Sequence, residues 1–176
     1  MIPDFELDKL ETPRLILRKL VIADAAQLVL LRSDERVNRY LDRPASTTYE
    51  EALQFVNKIL TGSSYYWAIS LLNDPKLIGT VCLWNLDREK SVVEIGYELL
   101  PGFHGKGLMM EVLAAVIAYN STVLQFETII GTLHIENISS IKLLEKNDFI
   151  RDRIREHQLH AQGGPLHEVL YSLKTD

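Results

Sequence analysis

Three apolar segments follow one another with only polar turns between them. Tyr65 to Leu72, Leu77 to Leu86 and Ser91 to Leu100 are joined by Asn73-Asp74-Pro75-Lys76 and Asp87-Arg88-Glu89-Lys90. Turns of this composition reverse a chain tightly, so the three segments read as strands of an antiparallel meander. The next stretch changes the pattern. Pro101 and Gly102 end the third strand, Gly105 to Gly107 open an apolar helix to about Asn120, and a strand from Phe126 to His134 follows. A strand, a helix and a strand form a βαβ-type piece, so the sheet is mixed and carries helices on both faces.

The flanks fit the same plan. Leu15-Ile16-Leu17-Arg18 is a short strand leading into a helix near Ala23 or Asp24, with a break around Ser33-Asp34 that leaves two short helices. Thr48-Tyr49-Glu50-Glu51 forms a capping box for a helix to about Leu60, stopped by Gly62. After the βαβ piece come a helix from Ser139 or Ser140 to Lys146, a strand from Phe149 to Glu156, the turn Gly163-Gly164-Pro165 and a strand from His167 to Leu173. No repeat, low-complexity tract or linker interrupts the chain. The expected fold is α/β (α+β), a single domain over residues 1–176 with a mixed, mostly antiparallel central sheet of about six or seven strands.

Charge and cysteine content narrow the function classes. With 24 Asp plus Glu against 19 Lys plus Arg, the net charge of -5 argues against a phosphate-binding surface for nucleic acid. Arg32, Arg36, Arg39 and Arg43 recur at helical spacing, but interleaved acids make them read as a solvated face. Leu108 to Tyr119 is the most apolar stretch, carries Glu111, and falls short of the roughly 20 residues that cross a bilayer. Acids within Met1 to Asp8 oppose an export signal, and the lone Cys82 suits a reducing compartment, so a cytoplasmic location is expected. His157, His160 and His167 have no cysteine partner and read as part of a polar hairpin tip, so no metal is expected.

Gly102-Phe103-His104-Gly105-Lys106-Gly107-Leu108 lies where a strand gives way to a helix. Unpaired N–H groups and the helix dipole favour an anion there, and glycine lets a diphosphate approach the main chain. Met110 stands where the dinucleotide fingerprint needs glycine, and Gly107 follows Lys106 where a P-loop needs Ser or Thr. Both nucleotide patterns fail. By itself the loop reads first as a structural turn.

Further segments in order give it a context: Glu94-Ile95-Gly96-Tyr97-Glu98-Leu99-Leu100-Pro101, then Gly105-Lys106-Gly107 and Glu111, Asn137-Ile138-Ser139-Ser140, and Leu144-Glu145-Lys146-Asn147-Asp148-Phe149. This series resembles the GNAT N-acetyltransferase superfamily. The opening Glu11-Thr12-Pro13-Arg14-Leu15-Ile16-Leu17-Arg18 is similar to the start of its RimJ/RimL-type branch, the ribosomal-protein N-terminal acetyltransferases, and the likeness runs over roughly residues 11–173.

The resemblance implies an acetyl-CoA-dependent N-acetyltransferase with a GNAT-like domain. It assigns the acetyl-CoA diphosphate to Phe103, His104, Gly105, Lys106, Gly107 and Leu108, largely through backbone N–H groups, with the His104 side chain expected to be exposed. It assigns the pantetheine arm and thioester carbonyl to main-chain groups of Ile95, Gly96, Tyr97 and Leu99, and places Asn137 near the pantetheine. Many relatives carry a tyrosine acid where this chain has Leu144, so Ser140 becomes the candidate to donate a hydrogen bond to the departing sulfur. Gly102 stands where the family motif begins with Gln or Arg, and Asp148 where glycine is common, a turn that Asp tolerates.

The amine must lose a proton before it attacks, and Glu94, His134 or water is the candidate base. Each residue also has an ordinary role: Asn137 or Ser139 as a helix cap, Glu94 and Glu98 as solvent-facing strand positions, His134 as a hydrogen-bonded structural histidine. The acceptor groove is expected between the helices of residues 23–60 and a hairpin near residues 157–167, with Trp67 and Trp84 in the core. The acceptor is a peptide N-terminus or a small-molecule amine, and the protein a monomer or homodimer. Transfer is expected to be direct, since neither Cys82 nor any serine looks like a covalent nucleophile. The competing reading is a non-catalytic acyl-CoA-binding or sensing module.

Overall fold

The computed structural model describes residues 7–43 and 48–175. Residues 1–6, on which the export-signal reading largely rests, lie outside them. The strands are β1 (Leu10–Glu11), β2 (Leu15–Lys19), β3 (Tyr65–Leu71), β4 (Asp74–Asp87), β5 (Val92–Leu99), β6 (Thr128–His134), β7 (Ile150–Arg151) and β8 (Glu168–Lys174). They form one sheet in the order β1-β2-β3-β4-β5-β6-β8-β7, and among the described residues only the β5–β6 pair is parallel. The strand beyond the expected seven is β1, two residues long and without a pattern a sequence could announce.

Among the described residues six α-helices flank the sheet: α1 (Ala25–Ser33), α2 (Glu35–Asn38), α3 (Tyr49–Leu60), α4 (Leu108–Tyr119), α5 (Ile138–Glu145) and α6 (Arg153–Ala161). Register sorts the side chains between two cores. Trp67, Val81 and Tyr97 are cross-strand partners on one face, where Trp67, Val81, Val93 and Ile95 pack with Leu108, Val112, Leu113 and Val116 of α4 and Leu144 of α5. The opposite face carries Ala68 and Leu77, which pack with Leu28, Leu31, Ala52 and Val56 of α1 and α3. The Thr48 capping box forms as its sequence demands: the Thr48 hydroxyl accepts from Glu51 N at 3.2 Å while Glu51 accepts from Thr48 N at 3.0 Å.

Four expectations are corrected. Phe149 to Glu156 is not a strand. β7 stops at Arg151 because Asp152 caps a helix there, accepting from Arg155 N at 3.0 Å, and the Glu156 carboxylate takes a bidentate pair from Arg151 at 2.9 and 2.8 Å. The segment after residue 157 is therefore the end of α6 and not a hairpin tip. Trp67 is fully buried, but Trp84 is 45% exposed. Arg32 and Arg43 are not on a solvated face: their side chains are largely buried and pair with Glu98 of β5, whereas Arg36 is exposed on Asp34.

Candidate active site

The site begins where two strands part. β5 and β6 pair over Val92↔Thr128, Val93↔Ile129 and Glu94↔Ile130 and no further, although β5 stays paired to β4 as far as Leu99 and β6 to β8 as far as His134. Leu144 of α5 sits over the gap. A Cβ added at Gly131 would lie 3.0 Å from Leu144 Cδ1 and 3.7 Å from Ile95 Cγ2, so β6 carries glycine where α5 presses against the sheet. Leu144 is 1% exposed and belongs to the core, which explains an apolar residue at this position. From Ile95 to Leu99, β5 keeps one edge of main-chain groups without a neighbouring strand. Such an edge requires partners from elsewhere.

One partner comes from the glycine loop. After a 3₁₀ turn over Pro101–Phe103, the His104 ring donates from Nε2 to the Leu99 carbonyl at 2.7 Å. His104 is exposed as expected, yet it ties the loop to the strand edge. Gly105 and Gly107 have φ of +71° and +72°, the left-handed region where a side chain is strained. Lys106 folds back, donating to the Gly102 carbonyl at 2.8 Å and lying 5.4 Å over the Phe103 ring. The N–H groups of Gly105, Lys106 and Gly107 have no acceptor among the described residues. They precede the first turn of α4, where Leu108 is buried, and so form the positive end of a helix dipole.

At the start of α5, Asn137 is a helix cap: its Oδ1 accepts from Ser140 N at 3.2 Å and from the Ser139 hydroxyl at 3.0 Å. The Ser140 side chain lies near enough to the Tyr97 hydroxyl to influence it. Burial pushes that phenol up to about 12, and the neighbouring Ser140 opposes the shift. Tyr97 enters the sequence reading only through its backbone. Its side chain is a site group that the period-2 alternation marks as sharing a face with Ile95 and Leu99, but nothing in the sequence pairs it with Ser140.

Glu94, Gly96 and Glu98 occupy the other face, opposite Trp84, Cys82 and Thr80 of β4. A bulge between Trp84 and Asp87 puts Asn85 at φ 49°, and its Nδ2 donates to Glu94 at 3.3 Å. Burial raises the Glu94 carboxyl above the usual carboxylate range, hydrogen bonds from Asn85 and Thr132 oppose this, and the charge of Glu168 adds to it. Glu94 is thus half-buried rather than a solvated strand position. Glu98 is different: Arg43 and Arg32 pair with it and Thr80 bonds it at 3.3 Å, so its carboxylate is committed to holding α1 and α2 on the sheet. The Cys82 thiol is pushed up to about 12 by burial and by Glu98, which leaves it protonated at neutral pH.

His134 ends β6 on the same face as Glu94. Its ring lies 5.4 Å from Tyr40 and 4.6 Å from His167, and its Nδ1 accepts from Glu136 N at 3.1 Å. A neutral ring bonded this way carries its proton on Nε2. The structure thus gathers Ile95 to Leu99 with the loop from Phe103 to Leu108, and Asn137 and Ser140 with Tyr97, while Glu94 stands on the opposite face where the strands diverge. His160 is occupied by the Glu168 carbonyl at 2.9 Å, and no group of three metal-ligating residues occurs among the described residues. None of the described helices is long and apolar enough to cross a membrane.

Comparison with known proteins places this arrangement. Residues 14–150 match the model of the acetyltransferase (GNAT) domain. An uncharacterized N-acetyltransferase of Bacillus licheniformis is 30% identical over 171 residues, covering 95% of this chain and 96% of that protein. Among solved structures, a GNAT-family acetyltransferase from Bacillus anthracis superposes with a TM-score of 0.81 at 23% identity over 96% of this chain and 99% of its own. RimL, a ribosomal alpha-N-protein acetyltransferase in complex with coenzyme A, gives 0.79 at 19% identity, with the same coverage. At such identities the two structures speak for the fold.

Proposed function

The chain belongs to the GNAT acetyltransferase family, and from that premise we propose that residues 1–176 act as one domain moving an acetyl group from acetyl-CoA to a primary amine. The observation that carries the donor is the early parting of β5 and β6 beside a loop whose N–H groups find no acceptor among the described residues. A thioester with a diphosphate tail fits both halves of that arrangement. The N–H groups of Gly105 to Leu108 would hold the diphosphate, and the free edge from Ile95 to Leu99 the pantetheine amides and thioester carbonyl. No metal is required.

Transfer is direct, within a ternary complex. Glu94 takes a proton from the ammonium of the acceptor, through water, because its raised pKa brings a carboxylate closer to the amine it must serve. The amine nitrogen then bonds to the thioester carbon, the carbonyl oxygen takes up negative charge against main-chain N–H groups, and the C–S bond breaks. Ser140, its backbone N–H held by the Asn137 cap, donates a hydrogen bond to the departing sulfur, which takes up the proton that the new amide nitrogen gives up and leaves as a thiol. The occupied Nδ1 of His134 supports Glu94 over His134 as the base.

Half-buried Glu94 beside exposed Trp84 supports a cationic acceptor, and the ribosomal-protein enzyme among the structural neighbours supports a peptide N-terminus over a small amine, in a RimJ/RimL-like role in the cytoplasm. The chain works as a monomer or homodimer without contacting nucleic acid. The buried Leu144 in place of an acid favours the second reading, an acyl-CoA sensor that binds without turnover.

Thermal melting with acetyl-CoA separates these. A ligand at 100 times its Kd adds about 2.7 kcal/mol, a shift of roughly 5 to 10 °C for a domain of this size. That shift, followed by coenzyme A release when amines and N-terminal peptides are added, is the expected result. A shift with no release across acceptors selects the sensor. No shift at saturation makes the glycine loop a structural turn.

A further inference from the structure

Thr12-Pro13-Arg14 precedes β2 and is remote in sequence from every residue assigned above. Folding sets it against the first turn of α4. Arg14 donates to the Glu111 carboxylate twice, from its backbone N at 2.8 Å and from Nε at 2.7 Å, and the Thr12 hydroxyl donates to the same carboxylate. Arg14 Nη1 donates to the Lys106 carbonyl at 2.9 Å. Nη2 lies over the next residue, where a Cβ on Gly107 would be 3.7 Å away. One guanidinium therefore joins the strand entrance, the glycine loop and α4. Glu111 is 15% exposed and Arg14 49% exposed, so the carboxylate is the sheltered member of the pair.

Two physical consequences follow. A trans peptide directs its C=O and the following N–H to opposite sides. Holding the Lys106 carbonyl toward Arg14 thus turns the Gly107 N–H away from it, fixing the aim of a donor that has no acceptor among the described residues. Glu111 also puts a negative charge in the first turn of α4, where it would oppose a bound anion. Chelation by Arg14 offsets that charge.

We propose that Arg14 is a positioning residue for the coenzyme A diphosphate, locked by Glu111 and orienting the loop through the Lys106 carbonyl. This rests on the assignment of the glycine loop to the diphosphate. A lysine at this position keeps the charge but lacks the planar fork needed to hold Glu111 and the Lys106 carbonyl together.

The test measures equilibrium binding of coenzyme A and of pantetheine, which lacks the diphosphate, to the wild type, Arg14→Ala, Arg14→Lys and Glu111→Gln. Arg14→Ala should raise the Kd of coenzyme A about 10- to 50-fold, the scale of charge-assisted hydrogen bonds, and leave that of pantetheine unchanged. Arg14→Lys should recover only a minor part. Glu111→Gln should weaken coenzyme A by about threefold or more, because a neutral amide holds Arg14 less firmly. This last variant also serves if Arg14→Ala does not fold. Tighter coenzyme A binding by Glu111→Gln, or equal losses for both ligands in Arg14→Ala, overturns the brace. So do unchanged values for coenzyme A in both variants while the wild type binds. A wild type that does not bind coenzyme A removes the loop assignment itself, a distinct result.

Discussion

The two faces of the sheet meet where β5 and β6 part, and they are built from different material. On the α4 and α5 face, the proposed recognition falls to main-chain groups: the free edge of β5 and the N–H groups of a loop with two glycines at positive φ. On the α1 to α3 face the proposed recognition falls to side chains: Glu94 held by Asn85, Trp84 standing half-exposed, and His134 with its ring tilted between those of Tyr40 and His167. The difference teaches where specificity and chemistry can change. A backbone cradle tolerates most substitutions except those that alter its dihedral angles, whereas a side-chain groove changes its acceptor and its titration with a single residue.

The sharpest way to break this division is Glu94→Gln. If Glu94 is the base, kcat falls about 10²- to 10⁴-fold while the Kd of acetyl-CoA is unaffected. The wild-type pH profile should show activity rising as Glu94 ionises, over a range displaced above that of an ordinary carboxylate, since only the ionised form accepts a proton. That limb should vanish in the variant. A retained limb would assign the base elsewhere.

Gly105→Val attacks the other face and should invert the pattern. A β-branched residue at φ +71° costs about 1–2 kcal/mol of local strain, and shifting the loop misdirects its N–H groups as well. Together these should raise the Kd of acetyl-CoA by about 30-fold or more, with little change in kcat at saturation. Normal affinity would sink the cradle.

Ser140→Ala should lower kcat about tenfold, the size of one hydrogen bond to a developing thiolate, and leave Asn137 capping α5 through the unaltered Ser140 backbone N–H. An unchanged kcat would return Ser140 to a purely structural role. Leu144→Tyr probes the same chemistry from the core. Forcing a phenol over Gly131 should lower stability by about 1–3 kcal/mol, measured by denaturant melting, and confer no gain in kcat. The smallest effect is expected of His134→Gln. Because Nδ1 already accepts from Glu136 N, the rising pH limb should persist.

Much of this architecture was legible because it follows from local rules. The meander was announced by its turns, the α3 start by the Thr48 box, and the turn at Asp148 by a residue that accepts φ 65°. The glycine loop was legible for the same reason, since positive φ leaves few residue choices. The misreadings have one cause. Asp152 looked like part of a strand because its capping bond to Arg155 N exists only once the helix forms. Arg32 and Arg43 looked solvated because their partner Glu98 is on a distant strand, and Trp84 looked like core because nothing local says which strand positions a helix will cover.

The sequence by itself determined the order of elements, the mixed sheet and the anion-ready loop, all consequences of periodicity and backbone preference within a few residues. Tertiary structure alone decided that β5 and β6 separate after Glu94, that Leu144 fills the space above Gly131, that Tyr97 meets Ser140, and that Arg14 clasps Glu111 and Lys106. The reason is range: dihedral and turn preferences are local, while register and packing bring together residues far apart in the chain, and hydrogen bonds between them form only once the chain has folded.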